Sequence, residues 1–304
     1  MRRYFDKVRM AQRHFTLSES IGHTQEAVPA ELPAYTKTPA SPRLDRWLHK
    51  AWRLSAAPLL LFFLLPVVML YVRSSPAQLL ESLQKEQVYL AVATSLKTSS
   101  ISLALIILLG TPVALLMGRV QFRFKGFLDA LIDLPILLPP SVAGLALLIT
   151  FGRRGPIGGW LEETLGLQIA FTQIAVILAQ IFIAAPIFIR SAAIGFAGID
   201  SETIQAAQID GANRWQILWH LFFPLTRFAL ISGSVMCWAR ALGEFGATML
   251  FAGNLVGVTQ TMPTAIYLGF EMDLNTALAL SVILVTICFA SILIVKLLII
   301  PRQE

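Results

Sequence analysis

A chain of 304 residues that is 56% hydrophobic and only 14% charged carries too little polar surface for an ordinary soluble domain, about one-quarter of which is charged. A soluble fold of this composition would need an unusually large buried core, so the residues point to lipid. The net charge of +6 is small and follows membrane orientation, which removes the case for nucleic-acid binding.

Taken in order, residues 1–50 are polar and interrupted by Pro29, Pro33, Pro39 and Pro42, as expected of a flexible cytoplasmic tail. Tyr4, Phe5, Val8, Phe15 and Leu17 among basic residues could form an amphipathic surface helix, the simpler alternative being an unstructured extension. No apolar core of a secretory signal is present there. A helix needs roughly 20 apolar residues to cross a bilayer. The runs 54–72, 98–118, 134–151, 169–189, 228–251 and 274–295 meet or approach that length. They predict an all-α polytopic bundle of about six spans. A seventh candidate, 245–270, is broken by Gly253, Asn254, Gly257, Gln260 and Pro263, and reads as the end of span five followed by a surface segment. With both termini cytoplasmic, the inner segments hold 18 of the 24 lysines and arginines, in line with the inward preference of basic loops.

Within the third run, Pro139-Pro140 should interrupt the helix. Freed backbone groups survive in lipid only when buried in protein or lining a cavity, so a gate or bend stands beside a simple kink. Asp129 and Asp133 read as boundary residues rather than a proton relay. A turn-rich outer loop, 152–159, contains Gly155-Pro156. The longest inner loop is patterned. Asp200 or Ser201 can cap a helix that should end by a left-handed turn at Gly211. Asn213 with Gln216 forms a capping-box pattern opening a second helix. Trp215, Leu218, Trp219 and Phe222 should share one face of it, and Pro224 should stop it before span five.

Arg240 and Glu244, four apart, should share one face of span five. A charge near the bilayer centre costs roughly 2.5–3.5 kcal/mol by insertion scales, so the two face the bundle interior or a water-filled path. They either neutralise each other in packing or serve a translocation pathway that attracts an anion. Gly243, Gly246 and Thr248 flank them, and small residues allow close helix approach. Cys237 and Cys288 read as small packing residues. The four histidines lie outside the spans, so neither a metal site nor a cofactor is expected.

The spacing of Gln205-Ala206-Ala207, Gly211 and Leu221-Phe222-Phe223-Pro224 resembles the EAA loop of binding-protein-dependent ABC importer permeases, although Gln205 stands where that family usually has glutamate. The run Arg240-Ala241-Leu242-Gly243-Glu244-Phe245-Gly246-Ala247-Thr248, the run 259–267 and the prolines Pro139 and Pro140 are similar to the molybdate permeases, with tungstate and sulfate permeases close by. The resemblance covers roughly residues 90–300, beyond a first transmembrane helix at 51–75. It implies a multi-pass subunit of the bacterial inner membrane that moves a tetrahedral oxyanion by alternating access. It implies a homodimer with two copies of an ATPase subunit docked on the 200–224 loop, and an extracytoplasmic substrate-binding protein. The sequence has no G-x-x-x-x-G-K-S/T loop, so the ATPase would be a separate chain. The alternative from another class is an ion-coupled secondary transporter or channel, which should show internal repeats and midplane charges on several helices; neither is seen.

Overall fold

The structure, a computed structural model, describes residues 42–298. These are predominantly helical, with no strand among the described residues. In order the helices are α1 (Pro42–Arg73), α2 (Pro76–Leu83), α3 (Glu86–Arg119), α4 (Lys125–Leu137), α5 (Pro140–Phe151), α6 (Pro156–Leu165), α7 (Gln173–Ala197), α8 (Ser201–Ile209), α9 (Arg214–Ile217), α10 (Phe223–Leu242), α11 (Gly246–Phe251), α12 (Met262–Met272) and α13 (Leu274–Leu298). Five helical stretches are long and apolar enough to cross a membrane, and α4 with α5 make a sixth if the bent pair is one span. The chain divides into two units, Met1–Leu61 and Phe62–Glu304. Helix α1 begins at Pro42, so the last part of the predicted tail is helical, while most of that tail lies outside the described residues.

The larger unit is organised around α3 and α7, which run parallel. Their interface is made of small and hydroxylated residues, as expected where lipid removes any hydrophobic drive between helices and close packing and hydrogen bonds remain. The Ser102 hydroxyl donates to Gln180 Oε1 at 2.9 Å, and Gln180 Nε2 donates to Thr98 Oγ1 at 3.2 Å, all fully buried. Toward their C-terminal ends the helices close further. A side chain at Gly118 would lie 2.6 Å from the Ala193 carbonyl oxygen, so only glycine fits. Helix α10 completes this core through Cys237 and Ala241, packed with Ile106, Ala184 and Phe188. Helices α12 and α13 pack against the first half of α3 through Met262, Ala265, Leu280, Val88 and Ala91.

The third span is broken where the two prolines predict: α4 and α5 meet at a 112° bend, because Pro139 and Pro140 supply no backbone N–H to carry the helix through. The segment after span five departs from expectation and is not a surface strip. Leu255, Val256 and Val258 are exposed at its tip, but Thr259, Gln260, Thr261 and Met262 are fully buried, and Met262 N–H donates to Ser95 Oγ at 2.7 Å. Turns satisfy part of the buried polar groups, as in Leu255 N–H to Thr259 Oγ1, while Gln260 Nε2 and Asn254 Oδ1 are buried with no partner among the described residues.

At the end of the unit where α3 and α7 begin, Lys85 Nζ donates to Asp273 Oδ2 at 2.7 Å, tying the start of α3 to the start of α13. Lys85 and the Thr276 hydroxyl hold the Asp273 carboxyl well below the usual carboxylate range, at about 2. Its folded value lies below its unfolded value of about 3.9, so the unfolded chain binds the proton first. The stabilisation is therefore complete above about pH 4 and is lost as the pH falls toward 2. Both side chains are partly exposed, so solvent screening keeps the contribution within about 1 kcal/mol. Lys85→Met should lower the apparent melting temperature slightly at pH 6, and the gap from the natural protein should narrow below about pH 4 and be nearly closed by about pH 2. An undiminished gap at about pH 2 would assign the effect to packing instead.

Candidate functional site

Two helix breaks face each other inside the unit. The first is the Pro139–Pro140 bend. The second follows α10, which ends at Leu242, so that Gly243, Glu244 and Phe245 are irregular before α11 begins at Gly246. They meet at Gly246, where an added Cβ would sit 2.7 Å from Pro140 Cβ. Gly144 of α5 lies as close to α11, its missing Cβ falling 2.8 Å from the Ala247 carbonyl oxygen. Gly246→Ala should therefore overpack this junction and cost about 1–3 kcal/mol, read as a lowered melting temperature. Gly243→Ala, which would meet nothing nearer than 3.6 Å, should not.

Glu244 lies in the second break. Although α10 ends at Leu242, the turn carries on far enough for Glu244 to pair with Arg240 four residues earlier. Arg240 Nη1 donates to Glu244 Oε2 at 2.9 Å, and Glu244 Oε1 accepts the Ala247 N–H at 2.9 Å, so the carboxylate both neutralises the arginine and caps α11. Glu244 is 1% exposed, whereas the Arg240 side chain is 36% exposed and reaches the surface of the subunit. One turn along α11, the Thr248 hydroxyl is buried with no partner among the described residues. Arg240, Gly243, Glu244, Gly246, Thr248, Pro139 and Pro140 thus lie at or beside two touching breaks, with one guanidinium offered outward.

At the opposite end, where α3 and α7 finish, lies the patterned loop. Helix α8 begins after Asp200, whose side chain makes no cap bond, and buries none of its residues. Gln205 and Ala206 are exposed and Ala207 is half-buried. The chain turns at Gly211 with φ +84°, as the spacing predicts. Asn213 and Gln216 close a reciprocal capping box, 2.9 and 2.8 Å, which starts α9. Pro224, however, does not stop the helix. A π-helical turn, Leu218–Phe222, carries it into α10 as one rod from Arg214 to Leu242. The wider turn bonds the Phe223 N–H to the Leu218 carbonyl, and Pro224, in the first turn of α10, needs no donor of its own. The extra residue per turn also splits the predicted aromatic face. Trp215 and Trp219 stay exposed, while Phe222 turns inward onto Phe196 and beneath the Arg119 guanidinium.

Several residues that spacing could not reveal support this arrangement. Arg119 Nη1 donates to the Ile199 carbonyl at 2.7 Å, gripping the chain where α7 hands over to α8. Lys97 Nζ, on the exposed face of α3, donates to Gln173 Oε1 at the start of α7. Asp129 and Asp133 are no mere boundary residues: both pair with Arg190 of α7. Arg190 Nε and Nη2 form a fork onto Asp133 at 2.8 and 2.6 Å, Nη1 donates to Asp129 Oδ1, and Nη2 also reaches the Asp129 carbonyl at 3.1 Å.

A multi-pass helical protein with touching breaks in two spans, and an unpacked helix, α8, hinged at glycine to a long rod at one end, has the architecture of a membrane permease subunit. Residues 110–302 match the family described as the binding-protein-dependent transport system inner membrane component. The putative molybdenum transport system permease protein YvgM of Bacillus subtilis is 40% identical over 214 residues, 70% of this chain and 94% of that protein. The molybdenum transport system permease protein ModB of Mycobacterium tuberculosis is 40% identical over 246 residues, 80% of this chain and 90% of that protein. The chain belongs to the family of binding-protein-dependent transport system inner membrane components. That assignment replaces the alternative of an ion-coupled transporter or channel. In fold, the chain is similar to a subunit of a bacterial ABC transporter that imports the acidic polysaccharide alginate, with a TM-score of 0.62 at 17% identity over 86% of this chain and all of that one.

Proposed function

We propose that this chain is the translocating subunit of an ATP-driven importer of a tetrahedral oxyanion, with molybdate as its substrate. The relatives at 40% identity are named for molybdenum transport, and the guanidinium of Arg240 at the helix breaks suits a passing dianion. The observation that carries the transport-subunit reading is helix α8, which buries none of its own residues and stands next to exposed Trp215 and Trp219. A short helix without tertiary packing is marginal in water, so its stability in the cell comes from a partner that covers it. That partner is the ATPase subunit, docked through Gln205, Ala206, Ala207 and Gly211, with Pro224 in the rod behind them. This places the α8 end in the cytoplasm and the Lys85–Asp273 end outside, where the substrate-binding protein docks. Two copies of the chain form the pathway and two ATPase subunits drive it. Residues 1–50 are the cytoplasmic tail, and 90–300 the permease domain proper.

Within a cycle, each state is selected by what binds it better. ATP draws the docked α8 helices together and opens the outer side, and hydrolysis resets them. Arg240, Gly243, Glu244, Gly246, Thr248, Pro139 and Pro140 line or shape the path. Competitive uptake by the reconstituted complex with its binding protein tests the substrate: molybdate should outcompete sulfate, and equal or stronger competition by sulfate or tungstate would reassign it.

A further inference from the structure

We propose that Arg190 is the positioning residue that carries movement of the docking helix to the proline break, by locking α4 to α7 as one body; this rests on the importer reading above. Helix α4 is an odd element. It buries none of its residues and sits against α7 only through partly buried side chains such as Leu128 and Ile132. What fixes it is one arginine gripping two carboxylates a helical turn apart, with four hydrogen bonds and a planar fork on Asp133. A fork of this kind fixes direction as well as distance, which a lysine cannot do.

The position of the clamp gives it a role beyond packing. Helix α7 leads from Arg190 to Ala197, and after three intervening residues the chain enters α8. Arg119 holds that junction through the Ile199 carbonyl. On the other side, α4 leads from Asp133 to Leu137 and into Pro139-Pro140, and Pro140 rests on Gly246, two residues from Glu244. A continuous series of covalent, ionic and packing contacts therefore runs from α8 through α7, Arg190 and α4 to both helix breaks. The cluster has one cation and two anions inside a membrane protein, and its side chains are a third or more exposed in the single subunit. Packing alone could be had from apolar residues at less cost in lipid.

The test uses the full complex of subunit, ATPase and binding protein in proteoliposomes. Arg190→Met should leave ATPase co-purification intact and ATP hydrolysis within about twofold, while substrate moved per ATP falls about tenfold. Arg190→Lys should restore part of the ratio, and Asp129→Asn with Asp133→Asn should match Arg190→Met. Uptake per ATP within twofold of the natural protein in both Arg190→Met and the double asparagine variant overturns the proposal. Normal uptake per ATP in Gly211→Trp counts against the docking loop, not the clamp, whereas loss of ATPase co-purification in Arg190→Met counts against the clamp. The clamp itself is judged without any change at Arg190, by spin labels at Leu131 of α4 and Ile194 of α7, both exposed, with Cys237 and Cys288 replaced by serine. That distance should be unchanged between nucleotide-free and ATP-bound complexes. A change of about 5 Å or more, one helical turn, means that α4 does not travel with α7, and sinks the proposal.

Discussion

Replacing Arg240 by glutamine should destabilise the subunit more than replacing Glu244 by glutamine, and the double replacement should recover most of the difference. The asymmetry follows from burial. Glu244 is 1% exposed, and its two oxygens are divided between Arg240 and the Ala247 N–H. Removing the arginine leaves a buried carboxylate facing one amide, and uncompensated buried charges cost about 3–5 kcal/mol. The converse is milder. Glutamine at 244 keeps an acceptor for Ala247, and Arg240, 36% exposed, can turn to water, so the loss should be about 1 kcal/mol. Melting temperatures of the purified subunit check the order, and equal values for the two single variants would show that the pair is not what holds the second break. Uptake by the stable double variant then separates packing from passage. If the pair lines the path, Arg240→Gln with Glu244→Gln should fold and assemble yet transport poorly. Normal uptake would leave it a packing device only.

What can be read along the chain, and what cannot, divides by the distance over which the residues act. The turn at Gly211, the capping box of Asn213 and Gln216, and the break at Pro139-Pro140 are set by neighbours within a few residues, and the structure has each where the spacing places it. The Arg190 clamp joins residues 57 and 61 positions apart, and nothing in the local pattern of Asp129, Asp133 or Arg190 marks them as partners. The burial of 259–262 escapes a reading by composition, because glycines and polar residues suggest a surface, while their hydrogen bonds, such as Met262 to Ser95, come from a helix far away in sequence. Pro224 departs from expectation for a subtler reason. A proline disrupts a helix through the donor it lacks and the carbonyl it crowds, and a π turn just before it moves both problems aside. Such a turn costs hydrogen-bond geometry, and here it lies where the docking helices join the long rod.

Gly211 should prove the most sensitive single position for coupling and among the least sensitive for folding. Its φ of +84° lies in the left-handed region, and no atom stands within 4 Å of where a Cβ would be. Space is therefore not the constraint in the free subunit; backbone conformation is. Residues other than glycine pay roughly 1–2 kcal/mol there, asparagine least and β-branched residues most. Because α8 buries nothing, the chain can escape that cost by re-angling α8 while the core stays as it is. Gly211→Asn should keep uptake near the natural level. Gly211→Val should insert and melt normally but lose about tenfold in substrate moved per ATP, the scale of a coupling energy of 1–3 kcal/mol. Gly211→Trp adds bulk into open space, so it too should fold, and should fail only where another surface closes over the hinge, with ATP hydrolysis no longer answering to the loaded binding protein. If valine and tryptophan both preserve the natural ratio of transport to hydrolysis, the hinge is not the lever, and the force enters the subunit through the rod that begins at Arg214.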